Sequence, residues 1–196
     1  MIEGENETPN ESQETDLELV AQAQRGNSAA FMEIVNRHTS KMFYLALSLT
    51  GNASDAEDIL QETLLGAFEG IQGFEGRASV KTWLTRILMN QVARHRRYRE
   101  VRSIVQIGPK SEEILKGIAH SGSANDMDIR MDVLNVLQTL PLEYRTVIAM
   151  REIQGLAYGE IAEMLGLPVG TVESRLFRAR QQLQELLRDY FPKDRR

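Results

Sequence analysis

Between positions 77 and 102 the chain carries eight basic residues, Arg77, Lys81, Arg86, Arg94, Arg96, Arg97, Arg99 and Arg102, against Glu100 alone, a local charge of +7. Arg86, Asn90, Arg94 and Arg97 fall at i, i+4, i+8 and i+11, a single stripe on the side of a helix away from Trp83 and Ile87. Guanidinium groups hold phosphates, and an asparagine amide can bond a base edge. Phe74, Arg77 and Lys81 stand just before this stripe. A cationic groove beside a stacking group is how a single strand of nucleic acid is commonly held. Bond-making chemistry is poorly served by comparison. Cysteine is absent, and the histidines, His38, His95 and His120, are scattered. Asp55, Glu57 and Asp58 could hold a metal in an all-helical hydrolase, but no second ligand cluster or nucleophile accompanies them. The chemistry on offer is recognition, with no enzyme activity, metal or cofactor expected.

The net charge of −5 over 196 residues hides this basic centre, because residues 1 to 18 hold seven acids and no base. That stretch has too little apolar surface to offset the entropy of ordering, and a disordered acidic tail is expected over residues 1–16. Folded over the basic centre, the tail would weaken unspecific DNA binding by the free protein. Hydrophobic residues make up 42% and aromatics 6%, a balance that favours helices over an aromatic-rich sandwich. No apolar run reaches the roughly 20 residues that span a bilayer, and no secretory leader is visible, so a soluble cytoplasmic protein without membrane insertion is expected.

The elements that must position these groups are all helices. Leu17, Val20, Ala21, Phe31, Ile34 and Val35 recur at helical spacing, broken at Gly26-Asn27, and Met42 to Leu49 continues to Gly51-Asn52. Ser54-Asp55-Ala56-Glu57 reads as a capping box that starts a helix reaching about Glu69. On that helix Asp58, Gln61, Glu62 and Leu65 share one face, while Ile59, Leu60, Thr63, Leu64, Ala67 and Phe68 take the other. A leucine among acids and an amide fits a protein contact with a polar rim. Gly70, Gly73 and Gly76 mark a loop, and the basic helix begins near Ser79 with Val80, Trp83, Leu84, Ile87 and Leu88 packed inward. Residues 103–128, rich in glycine and serine near Ser121-Gly122-Ser123, read as a flexible linker. Helical pattern resumes at Ile129, and Pro141 opens a helix from Leu142 to about Ile153.

Leu156 to Val172 has the form of a helix-turn-helix. Ala162 is the small residue where two helices cross, Gly166 tolerates positive φ where the first helix stops, and a second helix begins near Thr171. Val172, Leu176, Ala179, Leu183, Leu186 and Leu187 form its inward stripe. Ser174, Phe177, Arg178 and Gln181 project outward, flanked by Thr171 and Arg175. Phe177 departs from what a purely structural helix would carry on a solvated face. Arginine can bond guanine bidentately, and an aromatic can touch a thymine methyl, in the major groove of a duplex.

On these residues the chain resembles the sigma-70 family, and within it the small extracytoplasmic-function (ECF) group. Pro168 to Arg180 is similar to that group's region 4, Asp55 to Thr63 to its region 2.2, and Thr82 to Asn90 to its region 2.4. The resemblance implies two small helical domains, region 2 over residues 17–102 and region 4 over 129–192, joined by the linker. It implies a transcription initiation factor that binds bacterial core RNA polymerase through its β′ and β subunits. Asp58, Gln61, Glu62 and Leu65 would dock on the β′ coiled coil. Phe74, Arg77, Lys81, Arg86, Asn90, Arg94 and Arg97 would melt and hold the minus-ten element of promoter DNA. Thr171, Ser174, Arg175, Phe177 and Arg178 would read the minus-thirty-five element, and an anti-sigma factor would mask these surfaces. Two positions depart from the family's pattern: Glu75 and Arg77 stand in reversed charge order around Gly76, and Glu173 is acidic where relatives are often basic.

Overall fold

The computed structural model describes residues 15–105 and 124–190, with side chains placed for 15–99 and 132–187, and its regular elements among these residues are helices. In chain order they are α1 (Asp16–Gln24), α2 (Ser28–Thr50), α3 (Ala53–Gly70), a 3-10 turn (Ile71–Gly73) and α4 (Val80–Val105). Then follow α5 (Ala124–Thr139), α6 (Leu142–Glu152), α7 (Tyr158–Leu165) and α8 (Val169–Tyr190). Of the expected tail, residues 1–14 lie outside the described residues, as do 106–123 of the expected linker. The described ends of both segments are helical or capping. Thr15 and Asp16 begin α1, residues 103–105 finish α4, and α5 starts at Ala124, ahead of the expected Ile129.

Helices α1 to α4 begin where a side chain can accept the first orphan amides. Thr15 and Glu18 form a capping box, the Glu18 carboxylate accepting from the Thr15 amide at 2.6 Å. Asn27 accepts from the Ala29 and Ala30 amides at the head of α2. At α3 the expected Ser54 cap gives way to Asn52, which is extended and accepts from the Asp55 amide at 3.0 Å, leaving Ser54 in the first turn. Both residues can cap, but the chain leaves the left-handed Gly51 (φ 71) directly into an extended residue, so the helix starts two residues early.

α1 to α4 enclose Ile34, Met42, Leu45, Ala56, Ile59, Val80, Leu84 and Leu88, all buried. α5 to α8 do the same for Val147, Met150, Leu156, Ile161, Val172, Leu176 and Ala179. The two units are not held apart. Helices α5 and α6 pack on α2, and one continuous apolar cluster runs through both. Where they meet, the Gln138 amide donates to the carbonyls of Leu47 (3.1 Å) and Ser48 (2.7 Å), among the last carbonyls of α2. Arg145 reaches Ser48 as well, placing a cation at the negative end of the α2 dipole. No described helix is long and apolar enough to cross a membrane.

Candidate nucleic-acid interface

The segment before α4 is shaped by its own polar groups. The Gln24 side-chain amide donates to the carbonyls of Ile71 and Phe74, both at 2.9 Å, so α1 pins the loop that carries Phe74. Gly76 adopts φ 73, a turn open to glycine at little cost, and beyond it Arg77 folds back to pair with Glu75. The reversed charge order is thus a local ion pair on an exposed loop. Ser79 caps α4 by accepting from the Thr82 amide at 3.1 Å.

These elements surround a cleft of about 300 Å³ lined by Phe74, Arg77, Thr82, Trp83 and Arg86. Its floor is aromatic: the Phe74 and Trp83 rings lie 5.0 Å apart at an interplanar angle of 48°. Trp83 is expected to pack inward, and it does lean on the core, yet it is only half-buried and presents an edge to the cleft. A planar group could be gripped there between a ring, two cations and a hydroxyl.

Farther along α4, Asn90, Arg94 and Arg97 are exposed, in line with Arg86. Arg94, Arg97 and Tyr98 also form one wall of a second groove, about 780 Å³, whose other wall carries Asp58 and Glu62 of α3. Two further side chains of the helix, Arg99 and His95, are engaged within the fold. Asp55 draws in Arg99 at 2.6 Å and His95 at 3.3 Å.

The expected protein-contact residues Asp58, Gln61, Glu62 and Leu65 are all exposed on α3, Leu65 by 52%. Phe68 is placed differently from expectation. It is 59% exposed, with an edge-on contact to Phe31. It sits on the flank of the buried stripe of Ile59, Thr63 and Ala67, one turn after half-buried Leu64 and exposed Leu65. With Leu65 one turn earlier and Met32 exposed on α2, Phe68 adds apolar surface beside the acidic stripe. Its spacing of three from Leu65 was the available signal.

In the helix-turn-helix, α7 stops at Gly166 with φ 64, and α8 starts at Val169, two residues before the expected Thr171. Ile161, Val172, Leu176 and Ala179 are buried, whereas Ser174, Phe177, Arg178 and Gln181 face outward, Phe177 by 63%. Leu183 and Leu187 are half-buried, and Leu186, expected on the inward stripe, is exposed near the end of the helix. Thr171 and Arg175 are half-buried at the flanks. Arg178 donates to the Tyr144 hydroxyl at 3.3 Å, which favours its charged form.

The structure adds a contact that the sequence pattern does not show. Thr82 donates to a Glu160 carboxylate oxygen at 2.6 Å, Arg86 pairs with Glu163 at 2.7 Å, and Lys81 donates to the Gly155 carbonyl at 3.1 Å. The Thr82 hydroxyl bond is the main cause that holds the Glu160 carboxyl below its ordinary range, against its partial burial.

Comparison with known proteins agrees with this geometry. Residues 34–102 match sigma-70 region 2, and residues 130–183 match sigma-70 region 4. The RNA polymerase sigma-H factor of Pseudomonas aeruginosa is 35% identical over 190 residues, covering 91% of this chain and 98% of that protein. The ECF RNA polymerase sigma factor SigW of Bacillus subtilis is 32% identical over 178 residues, 87% of this chain and 95% of its own length. Among solved structures, the sigma factor RpoE of Bartonella quintana, bound to the anti-sigma factor NepR, superposes with a TM-score of 0.67 at 30% identity over 84% of this chain and 98% of that one. CnrH in complex with the cytosolic domain of CnrY gives 0.64 at 29% identity, over 88% of this chain and 96% of that one. The chain belongs to the sigma-70 family, and within it to the extracytoplasmic-function sigma factors, which are transcription initiation factors and not enzymes.

Proposed function

We propose that this chain directs core RNA polymerase to its promoters through three surfaces. Residues 17–102 form the unit that binds the enzyme and the melted minus-ten strand. The α3 face of Asp58, Gln61, Glu62 and Leu65 docks on the β′ coiled coil, an apolar centre within a polar rim. Phe74, Arg77, Lys81, Arg86, Asn90, Arg94 and Arg97 take the strand, with one unpaired base in the cleft floored by Phe74 and Trp83 and the phosphates on the arginines. Residues 129–192 form the unit that engages the β subunit and lays α8 in the major groove of the minus-thirty-five element. There Arg178 and Phe177 meet base edges, while Thr171, Ser174 and Arg175 fix register on the backbone.

The observation that carries the reading is α8 itself: Val172, Leu176 and Ala179 are sealed in the core while Phe177 stands in solvent on the opposite face. A structural hairpin gains nothing from an exposed aromatic ring, and a groove-reading helix does. The chain works by binding alone, without a cofactor, in the cytoplasm where the polymerase acts. An anti-sigma factor is the expected inhibitory partner, since the similar sigma factor RpoE was captured with the anti-sigma factor NepR bound.

Transcription in vitro from a genomic template with bacterial core polymerase tests the reading. Adding the protein is expected to produce a discrete set of starts. Absence of any added transcript, together with failure to co-migrate with core enzyme, would overturn it.

A further inference from the structure

The loop that carries Phe74 has little of its own to hold it. Gly70, Gly73 and Gly76 punctuate it, Gln72, Glu75 and Arg77 are exposed, and glycine leaves a chain many conformations to lose. Its restraint comes from α1. The Gln24 amide nitrogen has two hydrogens and donates to two carbonyls, those of Ile71 and Phe74, which bracket the 3-10 turn, both at 2.9 Å. Gln72 returns a bond, its amide donating at 3.2 Å to the Gln24 backbone carbonyl, the last of α1.

A second contact lies on the same side of the helix. Leu17, two turns before Gln24 on one face of α1, has its Cδ2 3.9 Å from where a Cβ on Gly76 would stand. That face therefore follows the loop from Ile71 to Gly76. A helix of nine residues does not hold its place alone, and α1 takes its own from the core. Leu19, Val20 and Ala23 are buried, and Asp16 meets His38 of α2 at 2.7 Å and Arg37 at 3.3 Å.

The consequence is felt at the cleft. Phe74 leaves the turn extended, with φ −75 and ψ 117, and its carbonyl is held by Gln24. Fixing that peptide plane fixes where the ring leaves the chain, 5.0 Å from Trp83 across the cleft floor. Gln24 is not among the residues that line the cleft, so it acts on it through Phe74.

We propose that Gln24 is a positioning residue of the strand site: it sets the Phe74 ring against Trp83 before DNA arrives, and so decides which base the aromatic floor admits. This rests on the assignment of the cleft to an unpaired base made above. A ring left free would have to be ordered by the strand itself, at a cost in affinity, and would yield to bases of different size. A held ring discriminates.

Trp83 is the single tryptophan of the chain, so its emission reports the floor directly. In the full chain without DNA, Gln24→Leu is expected to shift that emission to longer wavelength and to raise its quenching by acrylamide. Gln24→Glu, of the same shape but without the donors, is expected to do likewise. In holoenzyme, on a promoter found with the genomic template, all four bases are compared at each melted position and at each minus-thirty-five position. Both variants are expected to lower discrimination by about fivefold at one melted position and to leave the minus-thirty-five preferences unchanged. Ile34→Val, a small cavity in the same unit, controls for lost stability and is expected to move neither readout. A Trp83 signal unmoved in both variants, melted-strand preferences equal to those of the wild type, or a loss spread evenly over both promoter elements overturns the proposal. A wild type that adds no transcript sinks the functional assignment instead, while the Trp83 signal still decides whether Gln24 sets the floor.

Discussion

The Arg175 guanidinium lies 2.9 Å from the Glu143 carboxylate, so an arginine at the edge of the proposed reading face is also a strut between α8 and α6. Arg178, one turn on, donates to the Tyr144 hydroxyl at 3.3 Å and makes no ion pair as close as that of Arg175, so it is better placed to leave for a base. Arg178→Ala is expected to cost about 1 to 3 kcal/mol of discrimination between cognate and altered minus-thirty-five sequences, with no change in melting temperature. Arg175→Ala is expected to lower stability as well, by up to about 1 kcal/mol. Promoter-variant competition and thermal melting together separate the two.

The exposed pair Leu65 and Phe68 leads to a different readout. Phe68→Ala removes a ring that is mostly in solvent, so the stability loss is expected to be limited to its edge contact with Phe31, about 0.5 to 1.5 kcal/mol. Affinity for core polymerase is expected to fall by about tenfold or more, as for an apolar anchor at an interface. Asp58→Lys with Glu62→Lys is expected to weaken the same association mainly through its rate of formation. Surface-bound core enzyme and stopped-flow mixing would show it; unchanged association in all three would remove α3 from the interface.

Gly51 couples the two units sterically. A Cβ there would meet the Gln138 Oε1 at 2.9 Å, and its φ of 71 is strained for any other residue. Gly51→Ala is expected to cost about 1 to 3 kcal/mol. Combined with Gln138→Ala, which removes the clashing group, only the backbone part of the loss is expected to remain. A double-mutant cycle by denaturant melting measures the difference, and strict additivity would show that the interface relaxes without cost.

Most of the helical frame was legible from local rules. Gly26-Asn27, Gly51 and Gly166 end helices as their backbone freedom requires, and the period of Val172, Leu176 and Ala179 located the buried side of α8. Errors arose where neighbours decided. Asn52 and Ser54 are equivalent caps on paper, and only the extended backbone after Gly51 selects the former. The period of α3 allows Phe68 inward, but the residue falls on the flank of the buried stripe, beside exposed Leu65. Leu186 likewise falls at the edge of the α8 stripe, between half-buried Leu183 and Leu187. The docking of the units had no signal at all. Gln138, Arg145, Glu160 and Glu163 are polar, lie far from their partners in sequence, and make their contacts without any hydrophobic periodicity.

Acid titration offers a prediction with a definite sign. The Glu160 carboxyl is held below its ordinary value of 4.5 first by the Thr82 hydroxyl, then by the Ala157 amide and the charge of Lys81, with burial opposing. A depressed carboxyl contributes fully above the ordinary value and loses its contribution as pH falls through the depressed one. The stability margin of the wild type over Glu160→Gln, measured by denaturant melting, is expected to be full at neutral pH and to be lost as pH falls below 4.5. The neighbouring Glu163–Arg86 pair is common to both proteins and drops out of the difference. A gap that persists into strong acid would exclude Glu160 as the source.

The contacts of Lys81 with the Gly155 carbonyl and of Arg86 with Glu163 also fix how many mobile ions a strand can displace. While both cations are occupied they exchange no sodium or potassium with an incoming backbone. Once they are free, each phosphate they neutralise steepens the logarithmic dependence of single-strand affinity on salt by about 0.7, or ~1.4 for the two. The ionic-strength slope for a short single strand, compared between the wild type and Glu163→Gln, therefore counts the cation that this ion pair withholds without any label attached to the protein.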